Sequence, residues 1–211
     1  MARQGAGSQR LRVSAVPIFA THWLLPRLGQ FLAAHPRIEL KVDATPRLAD
    51  MEAGLVDVAL RYGDGTWAGL SAERIMKLSH TAVAAPALIR RLKIRSASDI
   101  ARAPLIRVSP FGASWDDWAA GAGIARELVA GKNGLQVDGM GPALRAAAHG
   151  LGVALAFTPL VDAELASGTL ARIGPGVATR GDIWFVCRPR ERGLPAVRAL
   201  RRWLQQQLPA G

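Results

Sequence analysis

The chain has 211 residues, half of them hydrophobic and a fifth charged, and carries a formal charge of +11 from 27 Lys and Arg against 16 Asp and Glu. That is enough for one domain or two small lobes sharing a core, and it lacks the composition of a disordered chain. The single cysteine, Cys187, excludes an internal disulfide. With no Cys or His clustered near it, it also offers no metal site.

Cys187 ends the apolar run Ile183–Cys187 and reads as a buried thiol that packs as a small hydrophobe. Met1–Arg10 has no apolar core of a secretory signal. No run approaches the ~18 apolar residues of a membrane span; the longest, Val153–Val161, contains Thr158 and Pro159. A cytoplasmic, reducing location is the expectation. The positive charge fits either an anionic partner such as nucleic acid or a solvated surface. Its two clusters, Arg90–Arg95 and Arg188–Arg202, have no interleaved aromatics and no nucleic-acid motif, which favours the solvated surface.

In chain order, Leu11–Val16 predicts a buried strand ended by Pro17. A helix follows over Phe19–Ala34, with Trp23, Leu24, Leu28, Phe31 and Leu32 on one face and Pro26 kinking it or opening its regular part. Ile38, Leu40 and Val42 alternate with charges, a strand broken by Pro46. Leu48–Ala53 predicts a short helix, and Val56–Leu60 a third strand before the turn Gly63-Asp64-Gly65. This alternation argues for a parallel α/β sheet. His80–Ala85 is a further strand, and residues 86–102 form two short helices with Ser96 or Ser98 as an N-cap. A second α/β unit then reads as strand Leu105–Val108, helix Ser114–Ala122, strand Leu135–Val137, helix Pro142–His149, strand Val153–Phe157, helix Thr158–Ala166 and strand Leu170–Ile173. Strand Ile183–Cys187 and helix Leu194–Leu208 close the chain.

Catalytic chemistry is not readable in this pattern, and no enzyme is expected. His22, His35, His80 and His149 are scattered, without a Ser or Cys partner at recognisable spacing. Asp116 and Asp117 are helix neighbours pointing about 100° apart, a poor acid/base dyad. Neither a phosphate loop nor a metal motif occurs, so no cofactor is expected.

Five blocks in order resemble the effector-binding domain of LysR-type transcriptional regulators: LRVSAVPIFATHWLLPRL at Leu11–Leu28, FLAAHPRI at Phe31–Ile38, GLVDVALRYGDGTWAG at Gly54–Gly69, HGLGVALA at His149–Ala156 and PAVRALRRWL at Pro195–Leu204. The WLLPRL and RYGDGTW forms are most similar to the branch of the glycine-cleavage and β-lactamase regulators. The resemblance implies an α/β fold of two Rossmann-like lobes joined by two hinge strands, as in periplasmic binding proteins. Lobe I would take residues 11–81 and 185–211, and lobe II residues 82–184, after a linker remnant at 1–10. The crossings fall near Thr81–Ala84 and Ile183–Cys187. The implied function is sensing a small-molecule effector, a possible organic acid, in the cleft between lobes. DNA would be bound only through an N-terminal helix-turn-helix that this chain does not contain. The family also implies a homodimer, tetrameric in the intact protein, for which Leu28, Phe31, Leu32 and the Ile38–Val42 strand offer an apolar surface. The rival reading is a periplasmic-type solute-binding protein for a small organic acid.

The resemblance also marks candidate effector-binding residues. Pro17, Ile18 and Phe19 open the first helix, whose free N–H groups favour a polar or anionic group; relatives often carry Ser or Thr where Ile18 stands. Thr45 follows the second strand and can hold a ligand or cap the next helix. Arg61 can pair with an acidic ligand or with Asp57 or Asp64. Tyr62 and Trp67 follow it, Trp67 as a cleft wall or as packing on the core. In the second lobe Met140 makes the site softer and more apolar, and Phe157 and Thr158 complete it.

Overall fold

The first strand, β1 (Gln9–Ala15), buries Leu11, Val13, Ser14 and Ala15 almost completely. The computed structural model describes residues 9–45, 47, 54–109, 114–130 and 134–208. These fall into two compact units, one within Met1–Lys77 and Arg180–Gly211, the other within Leu78–Thr179.

After β1, the first unit winds through α1 (Pro17–Phe19), a π turn (Ala20–Leu24) and α2 (Leu25–Ala34). Strands β2 (Ile38–Ala44), β3 (Val58–Gly63) and β4 (Ser71–Met76) follow. The second unit runs β5 (Ser79–Ala84), α3 (Pro86–Leu92), a 3-10 turn (Ala97–Arg102), β6 (Leu105–Val108), α4 (Ser114–Gly121), β7 (Gln136–Val137), α5 (Met140–Ala148), β8 (Val153–Thr158), α6 (Asp162–Ala166) and β9 (Ala171–Ala178). The chain returns to the first unit with β10 (Asp182–Cys187) and α7 (Pro195–Gln207).

Among the described residues, each unit holds one five-stranded sheet, ordered β2-β1-β3-β10-β4 in the first and β7-β6-β8-β5-β9 in the second. Both have the same plan. Three parallel strands are joined by a fourth lying antiparallel, and an edge strand follows it. The chain passes between units in the β4–β5 and β9–β10 connections.

The parallel pairing expected of the first three strands holds for β2, β1 and β3, and the later strands β10 and β4 extend that sheet antiparallel. Periodicity reports which face of a strand is buried, not its direction, and β10 enters beside β3 from the far end of the sequence. Strand β4 was not predicted. It is an edge strand pairing only β10, and its Ser-Ala-Glu-Arg start lacks apolar alternation.

Helix Phe19–Ala34 occurs, but as a winding from Pro17 with a π turn before Pro26. The Leu25 N–H donates to the Ala20 carbonyl, five residues back. Pro26 has no N–H and crowds the carbonyl of residue 22, and the wider turn relieves that crowding. Arg27 Nη1 satisfies the Trp23 carbonyl at 3.0 Å. Trp23, Leu24, Leu28 and Phe31 face the core; Leu28 and Phe31 are therefore not part of the outer apolar surface expected for a dimer, because the core takes them, whereas Leu32 is 42% exposed and Leu25 49%.

The predicted helix Thr158–Ala166 is only α6, because β8 runs on through Thr158. Pro159 favours extended backbone at the residue before it and has no N–H to give a helix. Between Ser96 and Ser98 the structure selects Ser96 as N-cap, in a capping box with Asp99. The helix predicted over Leu48–Ala53 and the break at Pro46 lie outside the described residues.

Aromatic side chains centre each core. In the first unit Trp203 of α7 meets Phe31 at 5.5 Å and Trp23 at 6.4 Å between ring centroids. In the second, Trp115 and Trp118 pack edge to face at 5.8 Å. Cys187 is buried in the first unit, and burial pushes its thiol up. No described helix is long and apolar enough to cross a membrane.

Candidate functional site

In open α/β sheets, ligands gather beyond the carboxyl ends of the parallel strands. In the first unit β1 ends at Ala15 and turns at Val16, whose N–H donates to the Leu60 carbonyl at 3.0 Å. The helix begins at once at Pro17 with no side-chain cap. The first-turn N–H groups of Ile18 and Phe19 have no helical acceptor, as at any helix start. Pro17 is exposed. The Ile18 side chain is 8% exposed and that of Phe19 is fully buried, stacked 5.0 Å from Trp23. Phe19 can therefore meet a ligand only through its backbone.

Arg61, in β3 beside β1, is 3% exposed. Its Nη2 donates to Ser14 Oγ at 2.5 Å and to the Arg47 carbonyl at 2.7 Å, and its Nη1 to the Leu60 carbonyl at 3.2 Å. The Nε has no acceptor among the described residues. Neither expected structural partner is engaged. Asp57 pairs with Arg12, with Arg12 Nη2 2.8 Å from Oδ1, and Asp64 accepts the Thr66 N–H at 2.9 Å. Burial pushes the Arg61 guanidinium down to about 10, which leaves it charged at neutral pH. The site thus contains a desolvated cation whose neighbours are neutral oxygens among the described residues.

Thr45 hangs beside it at the end of β2. Its N–H donates to the Ala15 carbonyl at 2.9 Å, and its hydroxyl accepts the Arg47 N–H at 3.3 Å. The hydroxyl thus shapes the loop that delivers the Arg47 carbonyl to Arg61 and keeps capacity for one more partner.

Tyr62 and Trp67 line an open recess of about 370 Å³ with Gly63, Asp64, Arg180 and Gly181. Trp67 is half-buried and meets Trp184 of β10 edge to face at 6.4 Å. Trp184 Nε1 donates to the Gly63 carbonyl at 2.9 Å. A Cβ at Gly63 would sit 2.8 Å from the Trp67 ring, and one at Gly65 (φ +99°) 2.6 Å from Trp184. Glycine is required at both places for the tryptophans to lie flat on the turn. Trp67 therefore packs down and walls the recess at once.

In the second unit Met140 opens α5, half-buried, behind an extended Gly139 without a side-chain cap. Phe157 is 8% exposed and stacks on His80 across the β5–β8 pairing, with ring centroids 5.0 Å apart. Thr158 Oγ1 donates to the Ser79 carbonyl at 3.3 Å. Sequence reasoning missed Ser14, Trp184 and His80. The signal for Ser14 was present: it is the polar residue of LRVSAV, and its side chain lies wholly inside the fold.

A sequence model described as the LysR substrate binding domain matches residues 4–209. The chain belongs to this family. It is 34% identical over 212 residues to the glycine cleavage system transcriptional activator of Escherichia coli K12, covering 96% of this chain and 66% of that protein. It is 32% identical over 195 residues to the transcriptional activator AmpR of Pseudomonas aeruginosa, covering 92% of this chain and 64% of the relative. The chain thus spans just under two thirds of the length of these two relatives. The solved effector domain of P. aeruginosa AmpR superposes with a TM-score of 0.82 at 30% identity, over 94% of this chain and 95% of that one. The effector-binding domain of Citrobacter freundii AmpR gives 0.83 at 26% identity, over 94% and 97%. The two-sheet plan is thus the periplasmic-binding-protein-like fold of LysR effector-binding domains, and these relatives favour the regulator over the transport protein.

Proposed function

We propose that this LysR domain senses a small amphipathic organic acid, and that in the intact protein, a cytoplasmic regulator, it controls transcription through a separate N-terminal DNA-binding head. The observation that carries the reading is Arg61, a buried guanidinium with no carboxylate partner among the described residues and with an unused Nε donor. A ligand carboxylate supplies the missing countercharge. The Ile18 and Phe19 N–H groups and the Thr45 hydroxyl lie at the same strand ends and can share it. The apolar body of the ligand suits Ile18 and the Tyr62–Trp67 recess better than a small, highly polar amino acid does. In the second unit Met140, Phe157 and Thr158 are the proposed effector contacts. A ligand can switch the domain only through different affinity for two arrangements of it.

A thermal-shift screen of organic acids tests this. Hits are expected to lose affinity in Arg61→Ala by roughly 10- to 150-fold, the worth of one charge-assisted hydrogen bond, with the circular dichroism of the fold unchanged. Hits that ignore the substitution would show that Arg61 is structural and the acidic ligand wrong.

We also propose a homodimer, tetrameric in the intact protein. Strand β2 is a sheet edge, and Leu25 and Leu32 of α2 are 49% and 42% exposed, an unpaired edge and an apolar strip of the kind assembly covers. Sedimentation is expected to give a dimer at micromolar concentration, and Leu32→Glu a shift toward monomer. A wild-type monomer at that concentration would count against this assembly.

A further inference from the structure

The cluster Arg188–Arg202 resolves into two populations. Arg188 forms a buried ion pair with Glu191, and Glu73 takes Arg192 at 3.2 Å and Arg201 at 2.6 Å. Arg198 and Arg202 are exposed and have no carboxylate partner among the described residues. They stand one helical turn apart on the same side of α7.

Beside them lie two adjoining cavities of about 270 and 370 Å³, both bordered by Ala34, His35, Pro195 and Ala199. Trp203 floors the first, which Arg198 and Arg202 also line, and Arg37 and Gln9 line the second. Trp203 is 6% exposed, and its indole N–H has no acceptor among the described residues. Among the described residues, no carboxylate lines either cavity. The floor is apolar, and the charged rim is cationic.

This groove is at the wrong end of the sheet to belong to the Arg61 site. Gln9 begins β1, and the residues at the Arg61 end follow Ala15. Seven residues at about 3.3 Å each separate the two ends by roughly 20 Å.

The geometry points to a second ligand site in this unit, formed by α7 and the α2–β2 corner, that takes a small organic anion with a flat apolar body. The anionic end lies between Arg198 and Arg202, and the body rests on Ala199, Pro195 and the edge of Trp203. Arg37 and His35 receive a second polar group where the ligand has one. Each volume is near the lower end of the range of small-molecule sites. Because the site lies on the other end of β1, its occupant does not compete with a ligand on Arg61.

The probe is 1-naphthyl phosphate, with inorganic phosphate as the control for charge alone, titrated into the intact chain by calorimetry and by 1H–15N spectra. Saturable binding of the naphthyl compound is expected, with a shift of the Trp203 indole resonance. Inorganic phosphate should bind about tenfold or more weakly, lacking the buried apolar area. Followed at the Trp203 resonance, the double variant R198A/R202A should weaken the naphthyl compound by about tenfold or more, R198K/R202K should weaken it less, and R61A should leave the Trp203 titration unchanged, whatever it does to binding at the Arg61 end. Failure of the wild type to saturate, equal binding of inorganic phosphate, an unmoved Trp203 resonance or indifference to R198A/R202A would each overturn the proposal. The R61A arm separates this outcome from failure of the effector reading above.

Discussion

Replacing Trp118 with alanine is expected to lower the unfolding free energy by about 3–5 kcal/mol, the usual cost of deleting a buried aromatic. Trp118 is fully buried at the centre of the second unit's core, with Trp115, Ile100, Leu105 and Ile173 among the buried residues around it. Its Nε1 donates to the Pro175 carbonyl at 3.2 Å, so truncation removes a hydrogen bond as well as opening a cavity. A Cβ at Gly174 (φ +71°) would already come within 3.2 Å of the Trp118 ring and 2.9 Å of the Ala97 side chain, so that segment is held by its own tight packing. Trp118→Phe keeps a ring but loses the hydrogen bond and should cost less. Urea unfolding at fixed pH measures both. A loss below about 1 kcal/mol for the alanine variant, far under the range for buried aromatics, would mean that the site collapses and α4 is not a fixed element.

Most of the fold was legible because burial is written in periodicity. The amphipathic face of α2, the alternation of Ile38, Leu40 and Val42, and the Leu200 and Leu204 face of α7 all appear where the pattern puts them. The failures have a common origin. Strand β4 is held by an edge pairing and by Glu73, which receives Arg201 Nε and Gln205 Nε2 at 2.6 Å each, and neither leaves an apolar signature. Strand β10 gains its direction only from a neighbour more than a hundred residues away. The π turn depends on what a wider turn does for Pro26, which a search for 3.6-residue spacing cannot express.

The candidate site was legible in kind rather than in detail. A basic residue at the end of a strand could be read as an anion partner or as half of an ion pair, and sequence spacing offered Asp57 and Asp64 equally. Register decides it: Arg12 precedes Val13, which pairs with Val58, and so Arg12 lies beside Asp57 and captures it. Arg61 projects instead onto Ser14. Trp67 shows the same limit. Its burial depends on Trp184, which a linear reading places more than a hundred residues away but the antiparallel pairing of β3 with β10 brings opposite Arg61.

His80 is expected to make the domain acid-sensitive in a window set by one side chain. It is 4% exposed near the start of β5 and stacks on Phe157. Its Nδ1 has no partner among the described residues. Burial pushes its pKa down to about 4, against 6.5 for the free side chain, and the Asp117 charge only partly opposes this. Between those values the unfolded chain binds a proton and the folded one does not, so the stability present above pH 6.5 declines as the pH falls toward 4. The full shift corresponds to about 3 kcal/mol, of which roughly 2–3 kcal/mol should be lost between pH 7 and pH 4.5. Asp57 contributes little over that interval. Its carboxyl is also held down, by Arg12 against the opposing effect of burial, but its window opens only below the free value of 3.8. His80→Phe keeps the ring stack and removes the titrating group, so its unfolding free energy should be nearly flat from pH 7 to pH 4.5 where the wild type falls. Paired urea titrations of the two proteins at both pH values measure the difference. Parallel pH profiles would show that His80 is protonated in the folded state and that its burial is relieved on acidification.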